Sequence, residues 1–177
     1  GVGITHKNLA THVKDQITRF DINQADTILQ FSTLNFDASI EQIFTSLNSG
    51  TLLLMRGEKI WDVLETKKQI NYFKVTIAFF PTAYISILPK ETDKQWTSLR
   101  ICMCGGETLK ISVAKNILEI LPTHARLENG YGPTETTIAA LTYTVSAFNR
   151  NKFTIPIGTP YQSRSVQVLD RTGASVP

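Results

Sequence analysis

Leu99-Arg100-Ile101-Cys102-Met103-Cys104-Gly105-Gly106 is a short apolar run that stops on two glycines, and the fold is read outward from it. A run of this length bounded by turn residues predicts a buried strand. Behind it, Leu109, Val113, Ile117 and Leu121 recur at helical spacing up to Pro122, and Ala125 to Glu128 is strand-like again. Strand, helix, strand in this order implies parallel pairing, with helices covering the sheet faces.

The same alternation runs upstream. Thr5 is a candidate N-cap for a helix over 6–20, with Leu9, Val13, Ile17 and Phe20 on one face. Thr27 to Ser32 reads as a strand. Asp37 then opens a short helix carrying Ile40, Ile43, Phe44 and Leu47, and Gly50 ends it. Leu52 to Met55 is a strand, Ile60, Val63, Leu64 and Ile70 mark a helix, and Val75 to Phe79 is a strand. Pro81 suits the first turn of a helix running toward Leu88. Downstream, Ile138 to Val145 is one more strand. After Phe148 the pattern changes: Ile155 to Ile157, Val166 to Leu169 and the turn Asp170-Arg171-Thr172-Gly173 look antiparallel. The expected organisation is an α/β unit over 1–148, with a mostly parallel sheet flanked by helices, and the first strands of a β-barrel subdomain over 149–177.

Composition narrows the function classes. The chain has 177 residues, 42% hydrophobic and 19% charged, with two cysteines. This excludes collagen, low-complexity disorder and a disulfide-stapled module. Its net charge of +3 comes from interspersed signs, with no basic stripe of the kind that tracks nucleic-acid phosphates. No apolar run nears the ~20 residues of a membrane span. Neither nucleic acid nor membrane is expected as a partner, and free thiols fit a reducing, cytoplasmic setting.

The stretch richest in chemistry is Asn129-Gly130-Tyr131-Gly132-Pro133-Thr134-Glu135-Thr136-Thr137. It follows a strand, which places it at the carboxyl ends of a parallel sheet, where α/β proteins bind ligands. Gly130 and Gly132 admit close backbone approach, Tyr131 offers a flat face for a heteroaromatic ring, and the threonines offer hydroxyls. Glu135 offers a hard oxygen ligand suited to magnesium beside nucleotide phosphates. The plain structural alternative is a Gly-Pro turn before a Thr-capped helix.

Tyr131-Gly132-Pro133-Thr134-Glu135-Thr136, with Asn129 before it, resembles the nucleotide-binding signature of adenylate-forming enzymes. The resemblance is to the amino-acid-activating adenylation domains of nonribosomal peptide synthetases. Gly1-Val2-Gly3-Ile4-Thr5-His6, Phe36-Asp37-Ala38-Ser39, Cys104-Gly105-Gly106-Glu107 and Ile157-Gly158-Thr159-Pro160 with Val168-Leu169-Asp170 resemble further segments of that family, in its order. Together they span essentially the whole chain. The resemblance implies a two-step ligase. An amino-acid carboxylate attacks the α-phosphate of Mg·ATP to give aminoacyl-AMP and pyrophosphate, and the acyl group then passes to the phosphopantetheine thiol of a carrier protein. Carrier-protein and condensation domains would be partners in the parent chain. Other ligases of the superfamily, such as a D-alanine–carrier-protein ligase or an acyl-CoA synthetase, are alternatives, as is a non-catalytic scaffold module.

The resemblance also implies roles. Asn129 would bond the adenine amino group, Tyr131 would stack on the base, and Gly105, Gly106 and Glu107 would wall the adenosine. Thr134 would contact the α-phosphate and Glu135 would hold Mg²⁺. Asp37 would pair the substrate ammonium, aided by carbonyls of Gly132 and Ile138; its structural alternative is a helix cap. The side-chain pocket would be lined by Ala38, Glu41, Ala78, Cys102, Cys104, Gly130, Ile138 and Ala139. Glu41 lies one helical turn after Asp37 and suggests a basic substrate such as lysine or ornithine, against the alternative of a solvated surface glutamate. Phe36 is either core or a flap over the reacting carboxylate.

Other polar residues are expected to be inert. His6, His12 and His124 match no metal or triad spacing and read as surface or capping residues, Lys67-Lys68 and Arg150-Asn151-Lys152 as solvated surface, and Trp61 as core. Both termini look cut. The family's Ser/Thr/Gly-rich phosphate loop would precede Gly1, and its ribose-binding Asp, hinge and lid with a catalytic Lys would follow Pro177. The chain alone is therefore expected not to adenylate and to bind ATP weakly.

Overall fold

The computed structural model describes residues 1–88, 96–146 and 153–176. The elements run α1 (His6–Phe20), β1 (Thr27–Gln30), α2 (Asp37–Ser49), β2 (Leu52–Met55), α3 (Val63–Tyr72), β3 (Ile77–Pro81) and α4 (Thr82–Ile85). They continue with β4 (Ile101–Gly105), α5 (Ile111–Ile120), β5 (Arg126–Tyr131), a 3₁₀ turn (Thr134–Thr136), β6 (Leu141–Thr144), β7 (Thr159–Pro160), β8 (Val168–Leu169) and β9 (Ser175–Val176). Among the described residues, seven strands form one sheet in the order β2-β1-β3-β4-β5-β6-β7. The first five are parallel, and β6 pairs antiparallel with both β5 and β7.

Local chemistry sets the helix ends. The Thr5 hydroxyl accepts from the Asn8 amide at 3.2 Å and starts α1, and Asp62 caps α3 through the Glu65 amide at 2.8 Å. Gly50 closes α2 with φ +68°, a left-handed conformation that costs glycine little. Pro81 ends β3 rather than opening a long helix, and α4 is a single turn.

Strand alternation separates two apolar clusters. Ala78, Phe80, Cys102 and Cys104 pack with Val63 and Ile70 of α3, Ile85 of α4 and Ala114 and Ile117 of α5. Ile77, Ile101 and Met103 pack with Phe20 of α1, Ala139 and Tyr161. Helices therefore cover both faces, as the βαβ reading requires. Trp61 is buried in the first cluster, as expected.

Ile155 and Tyr161 are buried in the two clusters of the α/β unit, and β7 extends the main sheet by pairing with β6. The hairpin β8–β9 forms a second, two-stranded sheet. Expectations for Phe148 and for Arg150-Asn151-Lys152 lie outside the described residues.

Candidate functional site

The carboxyl ends of the parallel strands surround a cavity of about 430 Å³. Asp37, Ala38 and Glu41 enter it from the first turns of α2, Phe79 and Pro81 from β3, Gly105, Gly106 and Glu107 from the end of β4, and Gly130, Tyr131, Gly132, Ile138 and Ala139 from β5 and the turn beyond it. The signature begins inside β5 and not after it: Asn129, Gly130 and Tyr131 are still strand residues, paired with β6. A second cavity of about 500 Å³ is lined by Asn129, Tyr131, Gly132, Pro133, Glu107 and Ile157, among others. Gly106, Glu107 and Gly130–Gly132 border both cavities, so the two share one wall.

Ala78, Cys102 and Cys104 line neither of these two cavities. All are fully buried in the core against α3 and α5. Successive strand side chains point to opposite faces, so a one-residue offset exchanges the set that faces a site. The opposite face of the strands carries Phe79, which lines the cavity and which sequence reasoning missed, and the buried Met103, whose Sδ lies 3.6 Å from where a Gly130 Cβ would stand. Burial pushes the Cys104 thiol up to about 12, and burial with Cys104 alongside pushes Cys102 well above the usual thiol value. Neither has the exposed, electropositive surroundings of a reactive thiol.

Asp37 does not cap its helix. Phe36 holds the N-cap position without a side-chain bond, and Asp37 is the first helical residue. Its Oδ2 accepts from the Thr134 hydroxyl at 2.6 Å, so the carboxylate faces across the site, near the helix end where negative charge is favoured. Phe36 is 67% exposed and lines the cavity mouth, which settles it as rim and not core. Thr134–Thr136 form a 3₁₀ turn behind Pro133, with no threonine cap.

Gly132 is held to its identity by contact. A Cβ there would stand 2.5 Å from the Ala140 nitrogen and 2.8 Å from the Ile138 oxygen. Tyr131 is half-exposed and borders both cavities. Asn129 is buried and donates from Nδ2 to the Pro156 carbonyl at 2.9 Å, leaving Oδ1 as the group able to accept from an adenine amine. Thr82, another residue the sequence did not single out, donates to the carbonyls of Gly105 at 3.1 Å and Glu107 at 3.3 Å, and so shapes the end of β4.

Glu41 is buried and is no solvated surface residue. Its Oε2 meets His12 Nε2 at 2.5 Å and accepts from Gln16 Nε2 at 2.7 Å. His12, expected on the surface, is itself fully buried. Glu135 is exposed on the 3₁₀ turn, one residue beyond Thr134. The described residues contain no group of three or more metal-ligating side chains. One exposed carboxylate suits a magnesium ion that arrives with phosphate oxygens, since such ions use one or two protein carboxylates.

Comparison with known proteins agrees with this geometry. The family model described as "AMP-binding enzyme" matches residues 1–177. Bacitracin synthase 2 of Bacillus licheniformis is 30% identical over 178 residues, covering 100% of this chain and 7% of that protein. Surfactin synthase subunit 1 of Bacillus subtilis (strain 168) is 30% identical, covering 98% of this chain and 5% of that protein. The chain thus spans less than a tenth of these relatives. Among solved structures, the Vibrio cholerae adenylation domain AlmE in complex with glycyl-adenosine-5′-phosphate aligns with TM-score 0.85 and 26% identity, covering 99% of this chain and 34% of that one. A mostly parallel sheet, a signature at its carboxyl edge and a match along its full length make this chain a member of the AMP-binding enzyme family.

Proposed function

We propose that these residues form the shared substrate and nucleotide wall of an adenylation domain of the nonribosomal peptide synthetase kind. The observation that carries the reading is the 2.6 Å bond from Thr134 to Asp37, which joins the turn beside the nucleotide cavity to the amino-acid cavity. Asp37 would pair the substrate ammonium, with carbonyl oxygens of Gly132 and Ile138 beside it. A buried ammonium needs such a partner, because it is costly to desolvate alone. Tyr131 would stack on adenine, Asn129 would accept from its amino group, and Gly105, Gly106 and Glu107 would flank the adenosine.

Held in this way, a substrate carboxylate oxygen attacks the α-phosphorus of ATP. The bond to the bridging oxygen of the β-phosphate breaks, and pyrophosphate leaves. Thr134 would turn its one hydroxyl proton from Asp37 to the α-phosphate once the substrate ammonium takes that carboxylate, and Glu135 would hold the magnesium ion that neutralises the triphosphate. The protein's contribution is positioning and charge complementarity. In the second step the phosphopantetheine thiolate of a carrier domain attacks the acyl carbon and AMP leaves. Carrier-protein and condensation domains of a longer polypeptide are the implied partners, and cytoplasm the implied location. No described helix is long and apolar enough to cross a membrane.

A basic substrate would suit Glu41 if its carboxylate had no other donor. Glu41 already receives bonds from His12 and Gln16, so an uncharged side chain over Phe79 is the better reading.

Calorimetry tests both points, with AMP and with 5′-O-sulfamoyladenosines carrying leucyl, phenylalanyl or lysyl groups. At least one aminoacyl probe should bind more tightly than AMP. Asp37→Ala should weaken that probe by about thirtyfold while sparing AMP, and Tyr131→Ala should weaken both by about tenfold. Binding of none would contradict the reading. Preference for the lysyl probe would restore the basic substrate.

A further inference from the structure

Behind the amino-acid cavity lies a group that the reaction does not use. Arg164 is half-buried, and its own amide donates to the Tyr161 carbonyl at 3.0 Å in the turn that follows β7. Its guanidinium reaches three acceptors. Nη1 donates to the Ala139 carbonyl. Nη2 donates to the Thr137 carbonyl at 3.3 Å and to His12 Nδ1 at 3.0 Å. The plane sits over the Tyr161 ring, 5.4 Å from its centroid.

Each acceptor leads to the cavity. His12 Nδ1 accepts a hydrogen bond from Arg164, and so Nε2 donates to Glu41 at 2.5 Å; an imidazole with one accepting nitrogen has the other free to donate. Glu41 lines the cavity from α2. The carbonyls of Thr137 and Ala139 flank Ile138, which lines it from the opposite side. Thr137 and Ile138 stand at φ +67° and +68°, a region that β-branched residues enter only when their surroundings impose it. The backbone of 138–140 also presses on Gly132, whose carbonyl is assigned to the same ammonium. One side chain thus braces both walls of the amino-acid cavity. Only a planar fork of several donors can reach carbonyls on two residues and an imidazole together; a lysine ammonium cannot reproduce it.

We propose that Arg164 is a positioning residue for the amino-acid half of the site, holding the Thr137–Ala139 turn directly and Glu41 through His12. This rests on the functional reading above only in what the cavity binds; the bracing is a property of this chain by itself.

Two measurements on Arg164→Gln and Arg164→Lys test it. In amide hydrogen exchange, Thr137 and Ala140, bonded to the Thr134 and Tyr131 carbonyls, should exchange about tenfold faster or more in Arg164→Gln. Amides of β1, β3 and β4 should be unchanged. Unchanged exchange at 137–140, or acceleration throughout the sheet, would overturn the proposal. In calorimetry, affinity for the tightest aminoacyl sulfamoyladenosine should fall about tenfold with AMP affinity intact, and Arg164→Lys should recover only part of it. Equal losses for both probes, or full recovery with lysine, would also overturn it. If the unmodified chain binds neither probe, the functional reading fails, and the exchange comparison alone decides whether Arg164 holds the turn.

Discussion

The two ends of the parallel strands are built in opposite ways. At the amino end, Asp26, Thr76 and Arg100 immediately precede β1, β3 and β4 and close on one another. Arg100 donates to both Asp26 oxygens at 2.7 and 2.6 Å and to the Phe20 and Asp21 carbonyls at 2.8 and 3.0 Å, while the Thr76 hydroxyl donates to Asp26 at 2.7 Å. Burial alone would raise the Asp26 carboxyl, but hydrogen bonds from Arg100, Thr76 and the Asn23 amide hold it below the usual carboxylate value. At the carboxyl end the strands finish on Gly105 and on Gly130–Gly132, and two cavities stand open between them. Polar groups at one end close on each other directly across the strand starts; at the other, Asp37 and Thr134 meet beside an open cavity.

Breaking the closed end should have the largest effect on stability. Arg100→Met leaves the Asp26 carboxylate, with 4% of its side chain exposed, without its cation, and should cost about 3 kcal/mol in denaturant unfolding. Because the folded-state pKa of Asp26 is lowered, the pair stabilises the fold above about pH 4 and that contribution is lost as pH falls through the folded value. The acid slope of stability should therefore flatten in Arg100→Met. An unchanged midpoint and slope would show that the clasp is incidental.

At the open end the effect should be smaller on stability and larger on binding. Gly132→Ala forces a Cβ against the backbone of 138–140 and should cost about 2 kcal/mol, with loss of aminoacyl-probe binding while the sheet persists. Retained binding would mean that this wall is not where ligand sits. The smallest effect separates the faces of the sheet. Cys102 and Cys104, buried away from the cavity, should not react with iodoacetamide until the protein unfolds, with or without an aminoacyl probe present. Labelling that the probe blocks would put the thiols back in the pocket.

What the sequence made legible follows the same division. Helix caps at Thr5 and Gly50, the strand at Leu52–Met55 and the nucleotide signature are local patterns, readable from neighbours along the chain. The facing of β3 and β4 was not readable, because Ile77-Ala78-Phe79-Phe80 and Ile101-Cys102-Met103-Cys104 are apolar at every position. A strand buried on both faces has no polar residue to mark which side meets the site, so the assignment fell on Ala78, Cys102 and Cys104 and not on Phe79. His12 and Arg164 were missed for a different reason. Their partners are 29 and 152 residues apart in sequence, and a polar side chain on α1 gives no sign that it is buried until α2 and the turn after β7 are folded against it. The two-residue strand β7 is too short to leave any periodicity.

A crystal structure of this chain with its tightest aminoacyl sulfamoyladenosine would test the shared wall most directly. The account predicts the adenine against the Tyr131 ring, the α-ammonium on the Asp37 carboxylate, and the sulfamoyl linkage passing Gly132 and Thr134. Density that puts the ammonium away from Asp37, or the two halves of the probe on opposite sides of an unbroken protein wall, would contradict it.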